Sequence, residues 1–147
     1  MWDHLHGFGV QTAVNDIDVA YFDASDLERQ QESIYQAALE ADMPTVNWEV
    51  INQAAVHLWY PQHFGYEVAP LLSSDDAIAT WPETATAVAV RLLSNDQLHI
   101  FAPYGLDDLF NLILRRNPRQ VTLEQFRQRA ISKQIQQKWP RVTIIDG

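Results

Sequence analysis

Asp16 and Asp18, in NDIDVAYFD, and Glu49, in WEVIN, are acids set inside otherwise apolar runs. Alternate residues of a strand share a face, which puts Asp16 and Asp18 on one side, about 7 Å apart along the backbone. At roughly 6 Å and an effective dielectric near 20 their charges repel by about 3 kcal/mol, a sizeable part of a small domain's net stability. A bound divalent cation, a raised pKa on one partner, or exposure at the strand's end would each relieve that repulsion. If the strands bearing D-x-D and Glu49 are neighbours, about 4.8 Å apart, three carboxylates converge into a hard-oxygen site. Magnesium takes oxygen ligands near about 2.1 Å and completes its shell with waters and substrate phosphates, so two or three carboxylates suffice. Two such ions can hold the attacking and leaving oxygens of a phosphoryl displacement. D-x-D alone is a short pattern, and strand-end aspartates that face water produce it too.

The elements that must position these acids follow from periodicity. Residues 1 to 6 read as the last turns of a helix stopped at Gly7, with a loop over Gly7 to Ala13. Asp16 to Phe22 reads as a strand with Ile17, Val19 and Tyr21 on the face opposite the aspartates. The box Ser25-Asp26-Leu27-Glu28 signals a helix running to about Asp42, and Val46 to Ile51 reads as the strand bearing Glu49. Residues 54 to 64 and 73 to 80 read as short helices, and Thr86 to Leu93 with Leu98 to Ala102 as a hairpin. Leu106 to Leu114 is an apolar helix by pattern, and Thr122 to Trp139 a longer one opened by Thr122 with Gln125 and closed at Pro140. Interleaved strands and helices with one hairpin predict an α/β or α+β domain around a small mixed sheet.

At 147 residues the chain suits a single domain with a real core. No apolar run approaches the roughly 20 residues of a membrane helix, and the start lacks a secretion signal, so a cytoplasmic protein is expected. Without cysteine there is neither a disulfide nor a thiolate metal site. The net charge of −9 argues against wholesale nucleic-acid binding but hides a division. Residues 1–114 hold Arg29 and Arg91 against 17 acids, whereas residues 115–147 hold eight basic residues against Glu124 and Asp146. That basic tail docks on an acidic body, or it faces phosphate; Arg115, Arg116 and Arg119 are its best phosphate candidates.

The segments WDHLHG, DIDVAYFD, WEVINQAAVHLWY, FGYEVAP, DAIATWPETATAVAVRL and APYGLDDLFNLILRRNP, in this order, resemble a family of bacterial nucleotidyltransferase-like proteins within the DNA polymerase β-like nucleotidyltransferase superfamily. The resemblance spans nearly the whole chain. It implies a polymerase β-like core, Asp16 and Asp18 as ligands of Mg2+ or Mn2+, and Glu49 as the third carboxylate. The implied reaction transfers a nucleoside monophosphate from a nucleoside triphosphate to an acceptor hydroxyl, with pyrophosphate leaving. The superfamily's Gly-Ser loop lies before the helix that ends in WDHLHG, and this chain begins at Met1 within that helix; Gly7 and Gly9 follow it, so the loop's role is not carried onto them. Either the loop precedes Met1 in the natural protein, which the abrupt helix end favours, or this version keeps the acids as a non-catalytic nucleotide- or metal-binding or protein-interaction domain.

Other chemistry-bearing residues have plainer readings. His4 and His6 point to different helix faces, His57 reads as a hydrogen-bonded packing residue, and Asn52 and Gln53 either order substrate or cap the next helix. Asp107 and Asp108 suit a first helical turn. Asp23 falls on the face away from Asp16 and Asp18. No P-loop, Rossmann fingerprint, nucleophile elbow or zinc motif is present.

Overall fold

The computed structural model describes residues 1–9, 16–119 and 121–146. In chain order the elements are α1 (Trp2–Leu5), β1 (Ile17–Tyr21), α2 (Gln30–Asp42), β2 (Trp48–Asn52), a 3-10 turn (Gln53–Ala55), α3 (Val56–Phe64), α4 (Ser74–Ile78), β3 (Ala89–Leu92), β4 (Leu98–Phe101), α5 (Asp107–Phe110), β5 (Ile113–Arg115), α6 (Leu123–Ser132), α7 (Ile135–Lys138) and β6 (Thr143–Ile145). The chain divides into two compact units, Ala13–Ala77 and Met1–Thr12 with Ile78–Gly147. The expected loop over Gly7 to Ala13 lies partly outside the described residues. No described helix is long and apolar enough to cross a membrane.

The unit Ala13–Ala77 is a β-α-β arrangement in which β1 and β2 pair in parallel and α2 connects them. The Ile17 amide donates to the Asn47 carbonyl at 2.8 Å, so the alternation of the ladder turns the polar groups of Trp48, Val50 and Asn52 toward the outer edge of β2. Helix α2 meets that edge with side chains one turn apart. The Gln36 amide donates to the Trp48 carbonyl at 2.6 Å and accepts from the Val50 amide at 3.1 Å, while Glu32 accepts from the Asn52 amide at 2.7 Å. Helix α2 begins at Gln30, not at the Ser25 box. Asp23 draws both the amide and the hydroxyl of Ser25, and it is Asp26 that caps the helix, accepting from the Gln30 and Gln31 amides at 2.9 and 2.8 Å.

The other unit is built on the parallel pair β5 and β6 and a core of Trp2, Leu112, Leu114, Phe126, Ala130, Ile135 and Val142. Trp2 anchors the short α1: its indole donates to the Leu109 carbonyl at 2.8 Å and packs edge-on against Trp139 at 5.5 Å. The hairpin of β3 and β4 forms where expected. The expected helix Leu106–Leu114 stops at Phe110, because Leu112 takes a left-handed conformation with φ 59° and Ile113–Arg115 extends to pair with β6. The expected helix Thr122–Trp139 has its capping box on Thr122 and Gln125, but Gln134, at φ 54°, divides it into α6 and α7.

Candidate functional site

The parallel register sets Asp18 directly opposite Glu49. Register partners on neighbouring parallel strands project from the same face, so these two carboxylates stand side by side at strand spacing. Both are exposed, as is Asp16, which immediately precedes β1. Burial therefore does nothing to relieve the repulsion between Asp18 and Glu49. Among the described residues no group of three or more His, Asp or Glu is arranged to hold a metal ion; the acids that the register sets side by side are Asp18 and Glu49, and Asp16 lies two residues before Asp18, just outside β1. Two adjacent hard-oxygen donors open to solvent fit magnesium or manganese, which would draw the remaining ligands from water and phosphate.

Residues 1–144 match the model of a nucleotidyltransferase family. The chain belongs to that family. A solved structure described as revealing a CCA-adding enzyme head domain is 31% identical, with a TM-score of 0.78 over 97% of this chain and 74% of its own. Comparison with curated proteins yields no match. The fold is accordingly that of a polymerase β-like nucleotidyltransferase, with small sheets and packed helices.

The opposite face of β1 and β2 carries a polar network that the sequence did not signal. Asn52, fully buried, is the register partner of Tyr21. Its amide group donates to the Asp23 and Asp26 carbonyls, and its oxygen accepts from the Asp23 and Ala54 amides. It is a cap and a staple, which resolves the two readings of Asn52 in favour of structure. Glu32, buried, binds the Asn52 amide and forms an ion pair with Arg29 at 2.7 Å. Arg29 adopts φ 63° and lies over the Trp59 ring, 5.6 Å from its centroid, and its hydrogen bond to Glu32 raises its pKa. The signal for Glu32 and Gln36 was available only as an i,i+4 polar pair on α2, a pattern shared by any solvated helix.

Tyr21 packs edge-on against Tyr35 at 5.2 Å, and its hydroxyl is buried without a hydrogen-bond partner among the described residues. Burial first, then the Glu32 charge, pushes its phenol up to about 12 from an ordinary 10. The neutral form is thus favoured in the folded chain. Stability from this group is fully present below pH 10 and is lost as pH rises toward about 12. Tyr21→Phe is expected to remove that alkaline limb and to leave stability at neutral pH equal or higher, because it deletes a buried hydroxyl that has no partner. Urea titrations at pH 8 and pH 11 check this; a large loss of stability at pH 8 would show that the hydroxyl is bonded after all.

His57, expected as a packing residue, is half-buried, and its Nδ1 has no partner among the described residues. Arg115, in the other unit, forks onto Asp108 at 2.9 and 3.1 Å, and this hydrogen bonding, reinforced by Thr84, holds the Asp108 carboxyl below its usual range. Arg116 donates to the Asp146 and Val121 carbonyls. The Arg119 amide donates to Asn117, a fully buried side chain that also bonds the Ala79 and Trp81 carbonyls. Arg129 pairs with buried Glu83 at 2.6 Å, and Arg127 with Asp146. Much of the basic tail is thus engaged by acids and carbonyls of its own unit.

Proposed function

We propose that this chain transfers a nucleoside monophosphate from a nucleoside triphosphate to an acceptor hydroxyl in a reaction that depends on a divalent metal. The observation that carries the reading is the register pairing of Asp18 with Glu49 on an exposed strand face, in a chain of a nucleotidyltransferase family. In this reading Asp18 and Glu49, with Asp16, hold magnesium or manganese. When bound, the metal supplies positive charge against the triphosphate. Glu49 takes the proton of the acceptor hydroxyl; the acceptor oxygen bonds to the α-phosphorus as the bridging bond to the β-phosphate breaks, and pyrophosphate leaves with that electron pair. Arg115 and Arg116 keep their protein partners. The second reading, a nucleotide-binding domain without turnover, draws support from the register, which sets two acids side by side with no third arranged beside them among the described residues.

Thermal melting with each nucleoside triphosphate, with and without magnesium, tests both. Stabilisation that requires nucleotide and metal together is expected, and its absence would end both readings. Pyrophosphate release then separates transfer from binding.

A further inference from the structure

Of the two paired acids Glu49 carries the more exacting role, because a base must meet the hydroxyl proton at about 2.6–3.2 Å. The direction of its side chain is set by φ and ψ at residue 49, that is, by the planes of the two peptide units on either side of its Cα. The alternation of β2 turns Glu49's own amide and carbonyl toward β1. The other polar atom of each unit, the Trp48 carbonyl and the Val50 amide, points to the outer edge. One side chain holds both. Gln36 Nε2 donates to the Trp48 carbonyl at 2.6 Å, and Gln36 Oε1 accepts from the Val50 amide at 3.1 Å. With β1 on one side and Gln36 on the other, neither peptide unit can rotate without breaking a hydrogen bond.

Gln36 is itself held. It is half-buried, and its Nε2 also donates to the carboxylate of Glu40, one turn along α2, at 2.6 Å. These partners fix which way round the amide sits, because the carbonyl needs its NH2 and the backbone amide needs its oxygen. A glutamate of the same length would have no donor for Trp48. Reacting groups must be held within about 0.5 Å, and a displacement of about 1 Å costs on the order of 100-fold in rate. We infer, resting on the function proposed above, that Gln36 is a positioning residue for nucleotidyl transfer. It acts through the β2 backbone, keeping the Glu49 carboxylate aimed beside Asp18, where it takes the proton of the acceptor hydroxyl.

Gln36→Ala tests this in the full-length protein, with glycerol supplying the acceptor hydroxyl. Hydrogen exchange without ligands should open the Val50 amide at least about tenfold faster, and change the Glu49 amide, which faces β1, much less. Pyrophosphate release at saturating magnesium and nucleoside triphosphate should fall at least about tenfold in kcat, with KM for the nucleotide changed less than about twofold. Gln36→Glu should lose as much. Glu49→Asp withdraws the carboxylate by one carbon and keeps a base, so adding Gln36→Ala to it should cost less than about threefold more. Glu40→Ala, at an exposed position, should lower kcat about two- to threefold with the same dependence on Glu49, and it replaces Gln36→Ala if that variant melts below the assay temperature. Unchanged exchange at Val50, unchanged kcat beside a lowered melting temperature, full activity in Gln36→Glu, or an undiminished loss in the Glu49→Asp background would each overturn the positioning role while leaving nucleotidyl transfer standing. No pyrophosphate release by the unaltered protein would remove both.

Discussion

Asp18→Asn is expected to weaken magnesium-dependent nucleotide binding at least about 100-fold while the protein melts at the same temperature or a few degrees higher. Both halves follow from the register of β1 and β2. Asp18 stands opposite Glu49 on an exposed face, so removing its charge takes away one of two adjacent ligands for a divalent ion, an interaction worth several kcal/mol. The same change relieves a like-charge cross-strand pair, which costs a few tenths to about 1 kcal/mol and corresponds to about 1–4 °C in Tm. Calorimetric titration with nucleotide and magnesium, beside a melting curve of the apo protein, reads both. Normal nucleotide affinity in the variant would remove Asp18 from the metal role.

Asn52→Ala is expected to cost about 3–5 kcal/mol of stability, a large share of the roughly 5–15 kcal/mol available to a domain. One fully buried side chain satisfies the Asp23 and Ala54 amides and the Asp23 and Asp26 carbonyls, and alanine leaves all four without it. Because Asp26 also caps α2, the loss should loosen the segment between β1 and α2 first. Urea denaturation followed by tryptophan fluorescence checks the magnitude; a change under about 1 kcal/mol would mean that water replaces the amide at little cost.

The parts of the fold that were legible in the sequence are those with local signals. Alternation marked β1 and the β3–β4 hairpin, the Thr122–Gln125 box marked the start of α6, and apolar spacing marked α3. The acids in apolar strands marked the face on which the Asp18–Glu49 pair forms, because period two fixes which residues share a side. What stayed hidden depends on distant partners or on unusual backbone. β6 is three residues long and exists by pairing with β5, whose Ile113-Leu114-Arg115 reads as the end of a helix until Leu112 is seen at positive φ. Nothing about a glutamine at 134 announces a left-handed residue that divides a helix. Asn52, a residue common in turns and caps, gave no sign that it would be sealed beneath two aspartates' backbones, and Glu32 gave none of its burial.

The side-chain clasp of α2 on β2 has a consequence for how this protein behaves in a crowded solution. An open strand margin invites another chain to extend the sheet, which is how many β-rich proteins clump. Here the carboxamide of Gln36 imitates a peptide group, and Glu32 completes the imitation one helical turn away, so a helix closes the ribbon as a third strand would. Because that seal rests on two side chains rather than on a continuous backbone, its failure would show itself as self-association before any loss of helix content.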